Sequence, residues 1–294
     1  MREPFSVAGL GRRELGRVYE QSLAGEYLRW ARHWIASGGD GYLAERLSGT
    51  DAAPGVCVAG PRGAPVALTF GHGLDGPIDP GLLDRVEAMH RETWGEPVIE
   101  VSPYADAGYL GLLRARGYGP VEYLHTFALD LSLFNEPPPA LGDDLRLREL
   151  EKSDADAVER AAHAIARGVN GELPEPTPLR LEWARMVCGC PDALTLVVED
   201  MRGVVVAGAS SGVWRGHPLM PEGNCNLFAG STLPRARRRG IQRALMVERL
   251  RRAKAAGCRA ATLDCLPTAG TVRNAERLGF ELVYTKTTFT RPPG

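Results

Sequence analysis

The chain has 294 residues, too many for one average domain and too few for three, so two units of roughly 140 residues are expected. Hydrophobic residues make up 44% and charged residues 24%, which excludes a largely disordered chain. No run approaches the ~20 apolar residues of a membrane span, and the opening MREPFSVAGLGRREL lacks the apolar core of a signal peptide, so a cytoplasmic protein with no membrane contact is expected. Six scattered cysteines make no disulfide scaffold, and Cys188-Gly-Cys190 has no second pair to complete a metal site. The net charge of −1 hides an asymmetry: residues 1–142 hold 12 Arg against 18 acids, and the remaining 23 basic residues face 18 acids in 143–294. The second half is the one suited to an anionic ligand.

Residues 13–36 predict a long helix, because Leu15, Tyr19, Leu23, Tyr27, Trp30 and Trp34 recur at spacings of three and four; Gly38-Gly39 ends it. Two β-rich runs follow, Val56–Ala59 and Pro65–Phe70, joined by Gly60-Pro61-Arg62-Gly63 as a hairpin. Asp79-Pro80 opens a helix carrying Leu83, Val86 and Met89. A strand at 97–102, a short helix at 108–115, an Arg-Gly-Tyr-Gly break and a strand at 121–131 complete the half. Residues 132–143, with three consecutive prolines, are the expected linker.

The second half predicts a strand at 145–148, a helix from a capping box at Ser153 and Asp156 to about Arg167, a Pro/Gly-rich loop at 169–177 and a helix at 178–187. Strands at 194–199, 204–214 and 224–233 follow, then a helix to about Ala256, a strand at 259–266, a short helix near 271–278 and a strand at 281–290. This order predicts an α/β fold with a mixed central sheet carrying helices. Leu-Leu-Arg-Ala-Arg-Gly-Tyr (112–118) sits where Ala-Glu-Arg-Leu-Gly-Phe (275–280) sits later, which points to an internal duplication.

The informative segment is Ser231–Leu245. A strand ends at Leu233, Pro234 turns the chain, three arginines precede Gly240, and a helix begins near Ile241. Open N–H groups at a helix start, a glycine and clustered arginines are what a diphosphate requires. A solvated basic turn before an ordinary helix is the alternative.

Arg237-x-x-Gly240-Ile241-Gln242 resembles the acyl-CoA-binding motif of the GCN5-related N-acetyltransferases, and Thr271-Val-Arg-Asn274 through Leu278-Gly279-Phe280 resembles the later motif of that superfamily. The resemblance covers 144–294 closely and 1–131 more faintly. It implies two tandem domains of that fold: a degenerate copy at 1–131, the linker at 132–143, and a copy at 144–294 that binds acyl-CoA.

What the resemblance implies for the site follows. The diphosphate would lie on the N–H groups of about Arg238 to Ala244 (Arg239, Gly240, Ile241, Gln242 and Arg243 between them), with Arg237 opening the motif. Backbone near Leu233 would position the thioester, and Asn274 would contact the pantetheine or steady the loop. The reaction would be attack of an amine, on a small molecule or peptide, on the thioester of acetyl-CoA or another acyl-CoA, with no metal. Two positions depart from the pattern: Gln242 replaces a small residue, and Ala275 stands where a tyrosine commonly protonates the thiolate. Tyr284, Glu222 and Asp264 are the candidates for acid–base work. Two other readings keep the fold: a donor that is aminoacyl-tRNA or an acylated carrier protein, suggested by eight arginines between 235 and 252, and a non-catalytic CoA-binding regulator. A monomer or a homodimer fits either.

Overall fold

The apolar stripe of the first segment forms helix α1 (Arg12–Ala36), of which Leu15, Tyr19, Leu23 and Trp30 are buried. The computed structural model describes residues 5–170 and 175–291. The first half continues with strands β1 (Leu43–Gly49), β2 (Pro54–Ala59) and β3 (Thr69–Phe70), helix α2 (Leu82–Glu92), strand β4 (Ile99–Val101), helix α3 (Ala107–Ala115) and strand β5 (Gly119–Asp130). The second half runs β6 (Leu145–Glu149), α4 (Ala155–Asn170), α5 (Pro178–Gly189), β7 (Ala193–Asp200), β8 (Val205–Trp214), β9 (Asn224–Thr232), α6 (Ile241–Ala255), β10 (Ala260–Cys265), α7 (Gly270–Arg277) and β11 (Glu281–Thr290).

Five expectations shift. Strand β1 was not expected; its outward residues are polar, as on an edge strand, and Glu45 and Arg46 are exposed. The run at 65–70 shortens to two residues, because the N–H groups of Ala64, Ala67 and Leu68 are spent on local turns. Helix α2 begins at Leu82, and Asp79 accepts the N–H of Gly81 at 2.9 Å. At the start of α4 the cap is Asp154, which accepts from Ala157 at 2.9 Å, while the Ser153 hydroxyl turns to Glu151. Of the loop expected at 169–177, Val169 and Asn170 belong to α4, and residues 171–174 lie outside the described residues, as do 1–4 of the opening segment.

All eleven strands form one sheet, in the order β1-β2-β3-β4-β11-β5-β10-β9-β8-β7-β6. The two halves do not stand side by side. Strand β11, from the end of the chain, lies between β4 and β5 of the first half and is antiparallel to both. Strand β5 in turn pairs antiparallel with β10 of the second half. Each copy of the repeated strand–helix–strand unit thus takes the last strand of the other beside its own. Gly117 and Gly279, at φ 78 and 88, end the equivalent helices α3 and α7 in the left-handed conformation that only glycine adopts at low cost.

Alternation along the strands sorts the helices. Ala128, Ala260 and Val56 face α1, whereas Phe127, Leu129, Ala261 and Leu263 face α6 and α7. Helices α1, α4 and α5 therefore cover one side, and α2, α3, α6 and α7 the other. Helix α1 crosses the seam and touches strands of both halves. The proline-rich segment is docked: Lys254 holds the Phe134 carbonyl at 2.6 Å, and Arg243 holds Glu136 at 2.7 Å.

Gly25 of α1 packs against the six-membered ring of Trp214, so a Cβ there overlaps the ring, and Trp214 is anchored by its indole N–H on the Ala52 carbonyl at 2.8 Å. We expect Gly25→Ala to cost about 1–3 kcal/mol in chemical denaturation. Gly111→Ala, on an exposed face of α3 with open space at Cβ, is expected to gain about 0.5–1 kcal/mol.

Candidate active site

Strands β9 and β10 run parallel but stay paired only from Asn224↔Ala260 to Asn226↔Thr262. A buried network stitches that end: Asn224 Nδ2 donates to the oxygens of Ser22 (3.1 Å), Asn226 (2.7 Å) and Thr262 (2.8 Å), and Thr262 donates to Asn226 at 2.8 Å. Beyond it the strands part. The cause lies in β9. Its pairing with β8 slips between Phe228 and Ser231, and Ala229 takes φ 52, so Ala229 and Gly230 bulge. A cleft of about 240 Å³ opens at this point, lined by Phe228, Ala229, Gly230, Met246, Leu263 and Asp264 among others.

The chain leaves β9 through Leu233 and a single 3-10 turn (Pro234–Ala236), then reaches α6. Arg238 and Gly240 both have left-handed backbones, φ 61 and 76. Among the described residues, the N–H groups from Arg238 to Arg243 have no acceptor within the protein; the first helical bond runs from Ala244 to Gly240. Six consecutive open donors with the positive end of α6 behind them are suited to an anion with several oxygens.

The arginine side chains of this motif are mostly committed. Arg237 reaches the carbonyls of Thr232 (3.2 Å) and Gly168 (3.3 Å), Arg239 holds Asp144 with both contacts under 2.8 Å, and Arg243 holds Glu136. Arg238 is exposed and has no such partner among the described residues. Gln242, the unexpected residue of the motif, donates to Thr271 at 2.8 Å and accepts from Asn274 at 2.9 Å. It thereby ties the two sequence motifs together, and Asn274 faces Gln242. Ile241 and Ala244 are buried and anchor the helix start. Leu233 lies outside the cleft: its N–H is spent on Val206 and its carbonyl accepts from Ala236, both at 2.9 Å. The strand backbone that borders the cleft is the bulge four residues earlier.

Of the three acid–base candidates, the structure brings only Asp264 to the cleft. Glu222 is exposed in a surface turn, with Arg259 at 3.9 Å. Tyr284 is buried, and its hydroxyl donates to Glu20 of α1; burial first, then the Glu20 charge, push its ionisation well above the ordinary tyrosine value. Ala275 is fully buried in the core beneath α7, where it leaves no hydroxyl to offer.

Sequence reading missed the group around Lys286. Its ammonium is wholly buried, 2.5 Å from Glu100 and 2.7 Å from Asp264. Burial opposes that charge, but Asp264, Glu100 and Glu20 outweigh it and raise the lysine well above its ordinary value. Burial pushes Glu100 up to about 7 against the pull of Lys286. Tyr19 stands beside Asp264, kept protonated by burial and by that carboxylate. The members come from α1, β4, β10 and β11, elements far apart in sequence, and no local spacing links them.

The first half has an equivalent loop, residues 71–81 between β3 and α2, with the opposite character. Asp79 occupies the Gly81 N–H, and Asp75 holds Arg17 and Gln21 of α1. An acidic loop with a carboxylate on the N–H nearest its helix is unsuited to a phosphate. Among the described residues no group of three His, Cys, Asp or Glu could hold a metal, and no helix is long and apolar enough to cross a membrane.

The architecture matches known structures. A tandem GNAT protein from the clavulanic acid biosynthesis pathway is 16% identical, with a TM-score of 0.57 over 84% of this chain and 82% of its own. A GCN5-related N-acetyltransferase from Kribbella flavida is 18% identical, TM-score 0.51, covering 82% of both chains. A Drosophila protein is 14% identical, TM-score 0.55, covering 96% and 95%. No protein-family model and no curated protein matches the sequence. At this identity the likeness concerns the fold: the chain has the tandem fold of the GCN5-related N-acetyltransferases.

One buried acid of α1 offers a pH signature. Glu26 of α1 lies against Gly212 of β8 and 2.6 Å from Arg29; burial raises it to about 7, and Arg29 offsets only part of this. A carboxyl raised on folding binds its proton more tightly in the native state, so its contribution is full below about pH 4.5 and is lost as pH rises through 7. Glu26→Gln is expected to remove up to about 3 kcal/mol of the decline in stability between pH 4.5 and 8, read from denaturation midpoints across that range.

Proposed function

We propose that the chain is an N-acyltransferase that moves an acyl group, acetyl in the simplest case, from acyl-CoA to an amine, with its active site in the second half. The observation that carries this reading is the pairing of the β9–β10 gap with six open N–H groups at the start of α6. The donor's diphosphate would lie on those donors, with Arg238 adding charge at the rim. Its thioester arm would lie in the gap beside the Ala229–Gly230 bulge. The side chains of Gln242 and Asn274 brace the loop rather than the ligand.

The chemistry then needs three things. The amine nitrogen must meet the thioester carbon within the gap in the sheet. Attack forms the C–N bond and breaks the C–S bond, and the amine gives up a proton. Asp264 is the carboxylate in the cleft, so we assign it as the acceptor of that proton, held in place by Lys286. The thiolate leaves with its electron pair and takes a proton from solvent; with alanine at 275 and Tyr284 committed to Glu20, no side-chain acid is assigned. A thiolate is a good enough leaving group for this to serve.

An RNA-borne donor is less well supported. Of the arginines from 235 to 252, Arg239, Arg243, Arg251 and Arg252 have carboxylate partners and Arg249 is buried, which leaves little free positive charge for a long phosphate backbone. A single chain supplies every group of the proposed site, so a monomer suffices.

Titration calorimetry with acetyl-CoA tests the donor. Micromolar binding is expected, and Gly240→Asp should weaken it at least about tenfold, because a carboxylate at the helix cap repels phosphate while aspartate both caps helices and tolerates positive φ. No binding at millimolar acetyl-CoA would contradict the reading. Asp264→Asn should leave acetyl-CoA affinity within about threefold and lower thiol release in an amine panel by about 10²–10⁴.

A further inference from the structure

Arg249, on the third turn of α6, is 3% exposed and lines the same cleft. An arginine carries five N–H donors. Nε donates to the Leu245 carbonyl at 3.0 Å, and Nη1 to the carbonyls of Ser210 at 2.6 Å and Phe228 at 3.3 Å. These partners clamp β8 and β9 just before the bulge, and all three are neutral. Among the described residues no carboxylate lies within ion-pair distance of Arg249, and Nη2 has no acceptor. Nη2 reaches toward Gly230, where an added Cβ would sit 3.8 Å from it. A buried guanidinium whose charge meets only carbonyl dipoles is costly unless an anion joins it. Burial accordingly lowers Arg249 to about 10.

The two walls of the cleft differ in charge. Asp264 points to the α1 side of the sheet, where Lys286 matches its charge. Arg249 comes from α6, on the opposite side, and is unmatched. An amine approaching Asp264 meets a carboxylate; the end of an acyl chain on the α6 side meets a cation with two open N–H groups.

We infer that Arg249 is a specificity residue for the donor, and that the acyl group it selects ends in a carboxylate: the mono-CoA thioester of a short dicarboxylic acid. This rests on the acyl-CoA reading above and narrows it. The terminal carboxylate accepts from Nη2 and supplies the negative charge that the fold leaves out. A neutral acyl chain of equal carbon number enters the same cleft but leaves the guanidinium uncompensated.

The test compares pairs matched in carbon number. Dissociation constants of the wild-type protein are measured for free CoA, and for succinyl-CoA against butyryl-CoA, malonyl-CoA against propionyl-CoA, and glutaryl-CoA against valeryl-CoA. At least one dicarboxylic thioester is expected to bind about tenfold or more tightly than its neutral partner, as a charge-assisted buried bond provides. In Arg249→Gln that ratio should fall to near one. Arg249 also holds the bulge, so the variant could lose its fold; the wild-type ratios decide without it. CoA binding with all three ratios within about twofold would overturn this inference alone. No binding of CoA or of any thioester would overturn the donor reading and this inference with it. A preference that survives Arg249→Gln in a folded variant would also overturn the assignment to Arg249.

Discussion

The structure depends on where β11 lies. By inserting between β4 and β5 it converts two copies of one unit into a single sheet, and it carries Lys286 into the middle of that sheet. A lysine ammonium there must be matched, since an unpaired buried charge costs several kcal/mol. Glu100 from the first half and Asp264 from the second match it, and Glu20 from α1 adds a third carboxylate nearby. The seam is therefore apolar at its margins and ionic at its centre. Breaking it would strand charges in both halves at once.

That arrangement connects the fold to the chemistry. Asp264 belongs at the same time to the seam and to the cleft: Lys286 holds it, and Glu100 of the first half shares that lysine. The other wall is set independently. The network of Asn224, Asn226 and Thr262 closes β9 onto β10 at one end, the Ala229–Gly230 bulge turns β9 away, and Arg249 fixes Phe228 at the point of departure. A gap in a sheet normally leaves unpaired backbone groups facing nothing. Here it leaves a polar-edged slot beside an open helix start.

Much of this was legible in the sequence. The stripe in α1, the order of strands and helices in the second half, and the strand–Pro–Arg–Gly–helix turn all act over short spacings, and short spacings are what a sequence displays. The duplication showed in Arg-Gly-Tyr and Leu-Gly-Phe because a left-handed glycine is required at both helix ends. The exchange of β5 and β11 did not show, since β strands record their faces but not their neighbours. Lys286 was invisible for the same reason: it alternates correctly along β11, and its partners lie more than twenty residues away along the chain. Tyr284 lies on the same strand as Lys286, with its hydroxyl spent on Glu20. Strand β1 was hidden by its polar edge residues, and the committed side chains of Arg237, Arg239 and Arg243 by partners distant in the chain: Gly168, Asp144 and Glu136.

The central claim is that the two halves share one sheet and cannot stand apart. Hydrogen exchange of the whole chain in increasing denaturant, followed by mass spectrometry, tests it most directly. The account predicts that peptides from β4, β5, β10 and β11 lose protection together, in one cooperative step that takes both halves with it. Separate steps, with residues 144–294 keeping their protection after residues 5–131 have lost theirs, would contradict it.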